Sequence, residues 1–504
     1  MKLRYKLQLL LCLFIVTLTT ACYKDDSSEA FQPVSTITVS DSLTKGMLYV
    51  YQGDTLKLNP QLAFASDIPA EQLEFEWLAY ENSTLSSYVQ PNVYMSTEHE
   101  LKYLINATDF TLGQNYRLRF RVTDKRTGVS SFLAYNINIA NKYGEGWLLL
   151  EDKAGTGDLS MVFPNGTVEH GVYSGRNTSP LTGPRKLDLT PFDVTDDISS
   201  TGKRMYILAQ EGSQEYNYLT MVKKYDLSFL FFKAPVLNAE RMVWESTITT
   251  ANKYASIGVA INNGKVHSNL VGGFPGIKKW GDISLNPDGN INYNVAPFVA
   301  GGTTYPAVVY DNVGKRFYSV STSSPSLLAF PTNASSVFDM NNVGLTMVFQ
   351  DSANVVREFN AIMKDDANQA YLLKYKTTST TDAPQITLAK VLMNAPDVLS
   401  LTAAAGSTHS PHIYYGVAEK LKSYETTSNT STEAFTFPVS EKVSAMKYQR
   451  YAADKSGPQL VVATWDGAQG RLYYFPITNN GTLSAPSKVF SGFSKIIDMA
   501  YKRP

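Results

Sequence analysis

The sequence predicts an all-β protein, a small N-terminal β-sandwich followed by a β-propeller with seven blades. Three observations predict it. The chain of 504 residues carries 31 Tyr against 24 Phe and 5 Trp, and its Tyr, Thr, Val and Ser richness favours strands over helices. Through the first part of the chain, apolar and polar residues alternate with period two. From Tyr143 onward a hairpin recurs every ~47 to 57 residues, close to the ~40–50 of a propeller blade. Length alone suggests three domains at ~150 residues each, but radial repetition lets one domain exceed that size.

Composition narrows the function classes. The 45 Lys+Arg balance 45 Asp+Glu, so the chain lacks the basic surplus of a general nucleic-acid or anionic-membrane binder. The apolar fraction of 43% is enough for large cores. Both cysteines fall within the first 22 residues, which leaves the body without a disulfide or a thiolate metal site.

Residues 1–21 read as a signal peptide. Lys2, Arg4 and Lys6 form a basic start, and Leu9 to Leu18 form an apolar run too short for an ordinary membrane span. Leu18-Thr19-Thr20-Ala21-Cys22 resembles a bacterial lipobox, with its Leu displaced by one position, and implies lipidation of Cys22. The alternative is an ordinary secretory signal with an incidental Cys. Lys24-Asp25-Asp26, just after Tyr23, looks like the surface-export signal of Bacteroidetes lipoproteins. Residues 22–33 are polar and read as a flexible tether.

Residues 34–142 show short strands between turns. Leu73 to Leu78 alternates around a central Trp77, and Tyr116 to Val122 alternates with arginines outward. The turn Thr123 to Gly128 returns the chain through Phe132 to Ile139. The Trp strand followed by Tyr-x-x-x-Phe-x-Val-Thr-Asp and a Gly turn resembles the PKD and immunoglobulin-like sandwiches, which makes Trp77 a core residue.

Residues 143–504 repeat. Leu148-Leu149-Leu150-Glu151-Asp152, a Gly turn, then Asp158 to Pro164 and Asn165-Gly166-Thr167 match a second set near the end. That set is Leu460 to Asp466, a Gly turn, Arg471 to Pro476 and Asn480-Gly481-Thr482. Five more hairpins turn near Glu211-Gly212, Asn263-Gly264, Asp311 to Gly314, Asp365-Asp366 and Glu419-Lys420. The first unit lacks a preceding strand, and the last is followed by the apolar stretch Lys495 to Tyr501. That tail is expected to be the innermost strand of the first blade and to close the ring. A β-solenoid or a pair of sandwiches is the competing architecture.

Taken together, the lipobox, the sandwich and the Tyr143-Gly144-Glu145-Gly146-Trp147 junction into repeats resemble the PKD-like family of Bacteroidetes surface lipoproteins. The resemblance implies an immunoglobulin/PKD-like β-sandwich with a β-propeller. It also implies an outer-membrane accessory lipoprotein found beside TonB-dependent transporters and SusD-like lipoproteins of the starch-utilisation type. It carries over no catalytic residue and no cofactor.

Motifs for chemistry are sparse. His409-Ser410-Pro411-His412 has a chelating spacing, but Pro411 argues for a surface loop, and no His-Glu-x-x-His occurs. Asn286 to Asn290 reads as a turn, since it lacks the order of a calcium loop. Neither a Gly-x-Ser-x-Gly elbow nor a phosphate loop is present. Asp41-Ser42-Leu43, Asp54-Thr55-Leu56 and Asp351-Ser352-Ala353 resemble Bacteroidetes O-glycosylation motifs, of which one is expected to be used.

In a propeller, the turns between second and third strands share the face usually used for ligands. Asp311, Asp365, Asp366 and Asp466 fall at those turns, as do Asp152, Glu211 and Glu419, with Trp465 beside them. Such a rim could take a cationic or polyhydroxylated ligand, an aromatic ring stacking on a sugar face. Against that, Asp favours turns for backbone reasons alone. Trp244 reads as core, whereas Trp280, between Lys279 and Gly281 in a long loop, is the better binding candidate. These features predict a non-catalytic surface binder that captures a small ligand, glycan or peptide, or docks on a partner. The rivals are a glycan hydrolase or lyase with facing carboxylates in the central funnel, and a structural or adhesive protein with an apolar plug.

Overall fold

In a computed structural model the described residues are 36–81, 93–190, 202–246, 256–270, 279–321, 324–379, 385–450 and 457–503. Cys22, Lys24, Asp25 and Asp26 lie outside them, as do the signal-peptide and tether readings. The chain forms two compact units that meet in sequence at Lys142 and Tyr143.

In the first unit, Leu73–Glu81 pairs with Asn115–Asp124, which pairs with Ser130–Ala140, and Met47–Tyr51 adds in parallel at that edge. Two further strand pairs, Ile37–Ser40 with Gln61–Phe64 and Thr55–Leu58 with Leu101–Leu104, complete the sandwich. Period-two alternation determines the faces. Leu118, Phe120 and Val122 are buried with Trp77, while Arg119 and Arg121 each reach Glu76 across the sheet at 3.1 Å. The Trp77 indole donates to the Glu98 carbonyl at 3.0 Å, so a large core residue loses no hydrogen bond on burial.

In the second unit the strands described fall into seven blades. The innermost strands are Lys495–Lys502 (blade 1), Thr182–Leu189 (blade 2), Ala239–Ser246 (blade 3) and Ala300–Gly301 (blade 4). Thr346–Ser352, Ala403–Gly406 and Lys442–Gln449 begin blades 5, 6 and 7. Each blade is antiparallel, so side chains of one sheet pack on the next, and the apolar clusters run from blade to blade. Tyrosines reinforce these seams: Tyr414 of blade 6 donates to the Gly481 carbonyl of blade 7 at 2.7 Å, and Tyr310 of blade 4 donates to the Leu345 carbonyl before blade 5. The turn glycines are demanded by geometry at Gly212, where φ is +84° and a Cβ would lie 2.6 Å from the Pro180 carbonyl oxygen.

The ring closes as the sequence leads one to expect. Lys495–Lys502 pairs antiparallel with Gly146–Lys153 of blade 1, with a bulge between Leu150 and Glu151. Trp147 and Tyr501 meet edge to face at 5.4 Å, and the Tyr501 hydroxyl donates to Glu145 at 2.6 Å. Lys502 is fully buried at the end of this clasp, its ammonium donating to the Tyr143 carbonyl and lying 4.6 Å from the Tyr218 ring centroid.

Burial pushes the Lys502 amine down to about 7, with the nearby Lys203 charge acting in the same direction. The folded value therefore lies below the unfolded one, ~10.4. Between the two, the unfolded chain holds the extra proton, so stability rises with pH at about 1.4 kcal/mol per pH unit and is flat below 7. The melting temperature is expected to climb from pH 7 to pH 9, and Lys502→Met is expected to flatten that climb. An identical slope in wild type and variant would refute the assignment.

Candidate functional site

Four of the acidic residues at the blade turns, Asp152, Asp311, Asp365 and Asp466, accept from nearby backbone. Asp311 is fully buried, and its carboxylate accepts the N–H groups of Asn294, Val313 and Gly314 at 2.9 to 3.0 Å. Asp365 accepts from Ala367 and Gln369, and Asp152 from Gly155. Asp466 accepts from Ala468 and Gln469 and pairs with Arg471 at 2.8 Å; those backbone bonds first, then Arg471, hold its carboxyl down to about 2. Asp366 is exposed and bridged to Lys315 at 2.7 Å. Asp152, Asp311, Asp365 and Asp466 are thus engaged in turn chemistry. Asp311→Ala is expected to cost about 1–3 kcal/mol by leaving three N–H groups bare, read as a fall in denaturant midpoint. An unchanged midpoint would return Asp311 to the ligand candidates.

The two tryptophan candidates separate. Trp465 is half-buried at the end of its strand, opposite Lys442 and Gly470. Trp280 is fully buried, packed on Trp244 at 5.4 Å, Tyr206 at 6.0 Å and Phe231 at 6.1 Å. It lies between strands as expected, but it is a core residue, and the reading of Trp280 as a binding candidate is corrected on that ground. Isolated bridges, Phe231 with Trp280 and His267 with Ile283, tie the segment to neighbouring chain. Asn286 to Asn290 closes as a turn through the Asn286 side chain, and His409 lies in the loop between Ala403–Gly406 and His412–Val417, with His412 starting the second strand.

The concavity lies on the propeller axis. A cavity of about 740 Å³ is lined from all seven blades, including Lys186, Arg241, Gly301, Gln350, Ala403, Lys447 and Asp498. A second, of about 490 Å³, shares Arg241 and Lys447 with it and continues past Asp188, Tyr218, Gln449 and Arg503. Much of the wall comes from inner strands, so the ring sets Lys186 against Asp498, 312 positions further along the chain.

Charged groups in this channel hold blades together. Asp498 of blade 1 accepts the Leu187 N–H of blade 2 at 3.0 Å, and Asp188 of blade 2 accepts the Met242 N–H of blade 3 at 2.8 Å. Asp351 of blade 5 does the same for Gly406 of blade 6 at 3.0 Å. Lys186 and Lys447 flank Asp498 at 3.1 and 3.9 Å, and Arg241 pairs with Asp188 at 2.8 Å. Glu245 stands against Gly301, where a Cβ would lie 2.0 Å from its carboxylate oxygen, so the glycine makes room for it. Burial pushes the Glu245 carboxyl up to about 7, opposed by Arg241 and Arg357. Sequence reading missed these residues. Their signal is a lone charge inside an otherwise apolar strand, such as Asp498 in Ile496 to Ala500 or Lys447 after Met446.

Comparison with known proteins gives one family match and several distant structural likenesses. Residues 22–184 match the PKD-like family. The match covers the sandwich and extends through blade 1 into the inner strand of blade 2. No curated protein matches the chain. Among solved structures, a quinoprotein alcohol dehydrogenase-like protein from Bacteroides thetaiotaomicron is 14% identical, with 88% of this chain and 96% of that chain covered and a TM-score of 0.39. The Cps50 (Swd1) β-propeller domain of Myceliophthora thermophila is 10% identical, with 63% and 96% covered and a TM-score of 0.38. At those scores the strand pairing of the chain itself carries the propeller assignment. A PKD-like segment joined to a propeller supports, in general terms, a surface or binding protein.

Proposed function

We propose that this chain is a non-catalytic binding lipoprotein, anchored in the outer membrane through Cys22 and displayed at the cell surface with the help of Lys24, Asp25 and Asp26. In this reading the propeller captures a nutrient for a TonB-dependent transporter, beside a SusD-like lipoprotein, and the sandwich acts as a spacer. The observation that supports it most is the axial channel, which is roomy, charged and lined by every blade; such concave sites with a few converging polar groups are the usual place for a small ligand.

Two measurements test the reading. Cys22→Ala is expected to remove the protein from the outer membrane and from external protease in whole cells; retention of both would refute the anchor. Screening the purified chain against glycans, peptides and metallophores is expected to return a ligand whose binding is lost when the channel wall is altered, and a screen in which only variants of the outer rim lose binding would move the site.

A glycan hydrolase remains the second reading because of one residue. A carboxyl held near 7, such as Glu245, suits a general acid. Its neighbours are committed elsewhere: Asp351 accepts the Ser352 and Gly406 N–H groups, and Glu240 accepts that of Gly264. Incubation with labelled glycans is therefore expected to give no product, and turnover abolished by Glu245→Gln would establish the enzyme.

A further inference from the structure

We propose that the waist of the axial channel binds an organic anion, with its carboxylate or phosphate oxygens held by Lys186, Arg241 and Lys447. This rests on the capture reading above and names the chemistry of what is captured.

The three cations come from the inner strands of blades 2, 3 and 7 and meet beside the inner strand of blade 1. The acids they pair with, Asp188 and Asp498, both sit in the wall. Their side chains are 4% and 8% exposed, whereas those of Lys186, Arg241 and Lys447 are 26%, 26% and 38% exposed. Each acid also spends an oxygen on a backbone N–H of the next blade, as described above. The cationic heads therefore face the open space, and their anions face the protein.

Across the two cavities the walls carry eight cationic side chains against five acidic ones, so positive charge is in excess. The strain is visible in the cations themselves. Lys186 first, then burial and Arg241, hold the Lys447 ammonium below the usual lysine range. The Arg241 Nε is buried with no hydrogen-bond partner. A ligand carrying two or more oxyanion oxygens would supply the missing charge and the missing acceptor, with Arg241 suited to a planar carboxylate or phosphate edge.

Size argues for an organic body behind the anionic head. Arg241 and Lys447 line both cavities, so a head at this waist would open onto the larger one, about 740 Å³. There Phe298, Phe349, Phe359 and Met446 offer apolar wall for a carbon skeleton. The ligand expected is thus an acidic metabolite or acidic sugar rather than a bare ion. This reverses the preference that the acidic turns suggested, for a cationic ligand at the rim.

The test is titration calorimetry of the full chain in detergent at pH 7 and low ionic strength, with citrate, inorganic phosphate and sorbitol as probes. Citrate is expected to bind, to weaken as salt rises, and to exceed phosphate, while sorbitol gives no heat. Lys447→Met keeps the apolar stem and relieves the crowding; it is expected to melt no lower than wild type yet to bind citrate about tenfold or more weakly, the loss of one charge-assisted contact. Lys447→Arg is expected to retain binding. Equal citrate affinity in wild type and Lys447→Met would overturn the site, and phosphate binding without citrate would overturn the organic ligand. No heat from either anion would overturn the inference outright, and a neutral glycan or peptide bound under the same conditions would then leave the capture reading standing.

Discussion

Removing residues 495–504 is expected to abolish cooperative folding of the propeller. The strand Lys495–Lys502 is the inner edge of blade 1 and touches blades 2 and 7 as well. Its Ile496 and Met499 are fully buried, each contributing about 1.5–3 kcal/mol. Without the strand, the backbone groups of Gly146–Lys153 that pair with it lose their partners, as do the Leu187 N–H and Lys186 that Asp498 serves. These losses together approach the 5–15 kcal/mol that separates a typical folded domain from its unfolded chain. Circular dichroism on heating is expected to show a broad, low transition in place of a sharp one. A truncated chain that melts with the intact one would mean that the ring does not depend on its clasp.

Trp280→Ala is expected to cost about 3–5 kcal/mol, the range for deleting a large buried aromatic. The cost combines lost apolar burial with a cavity among Trp244, Tyr206 and Phe231, whose ring contacts with Trp280 add to its area term. A large drop in urea midpoint, with ligand affinity unchanged in water, is the expected pattern for a core residue. Lost affinity at an unchanged midpoint would be the pattern of a ligand contact, and would restore Trp280 to the site.

The fold was legible because repeats and alternation are local signals read many times over. Each hairpin turn anticipated near Gly155, Gly212, Gly264, Gly314, Asp366, Glu419 and Gly467 joins the second and third strands of a blade. The tyrosines report the same architecture: Tyr206, Tyr216, Tyr310, Tyr318, Tyr375 and Tyr414 are fully buried strand residues. Trp280 misled because its local setting, Lys279 before and Gly281-Asp282 after, is that of a loop. Burial there comes from Phe231 and Trp244, distant in the chain, which no local window contains.

Period-two patterning, turn chemistry and a repeat near 50 residues were enough to determine the strands, the blades and the ring closure, because these follow from backbone geometry and from which face of a strand is apolar. The acids at the turns were equally conspicuous, and their prominence reflected the same local chemistry. What lines the axis was decided by closure alone. Lys186, Arg241, Lys447 and Asp498 belong to four different blades, and a charge becomes a wall, a staple or a ligand contact only when the ring sets it against the others.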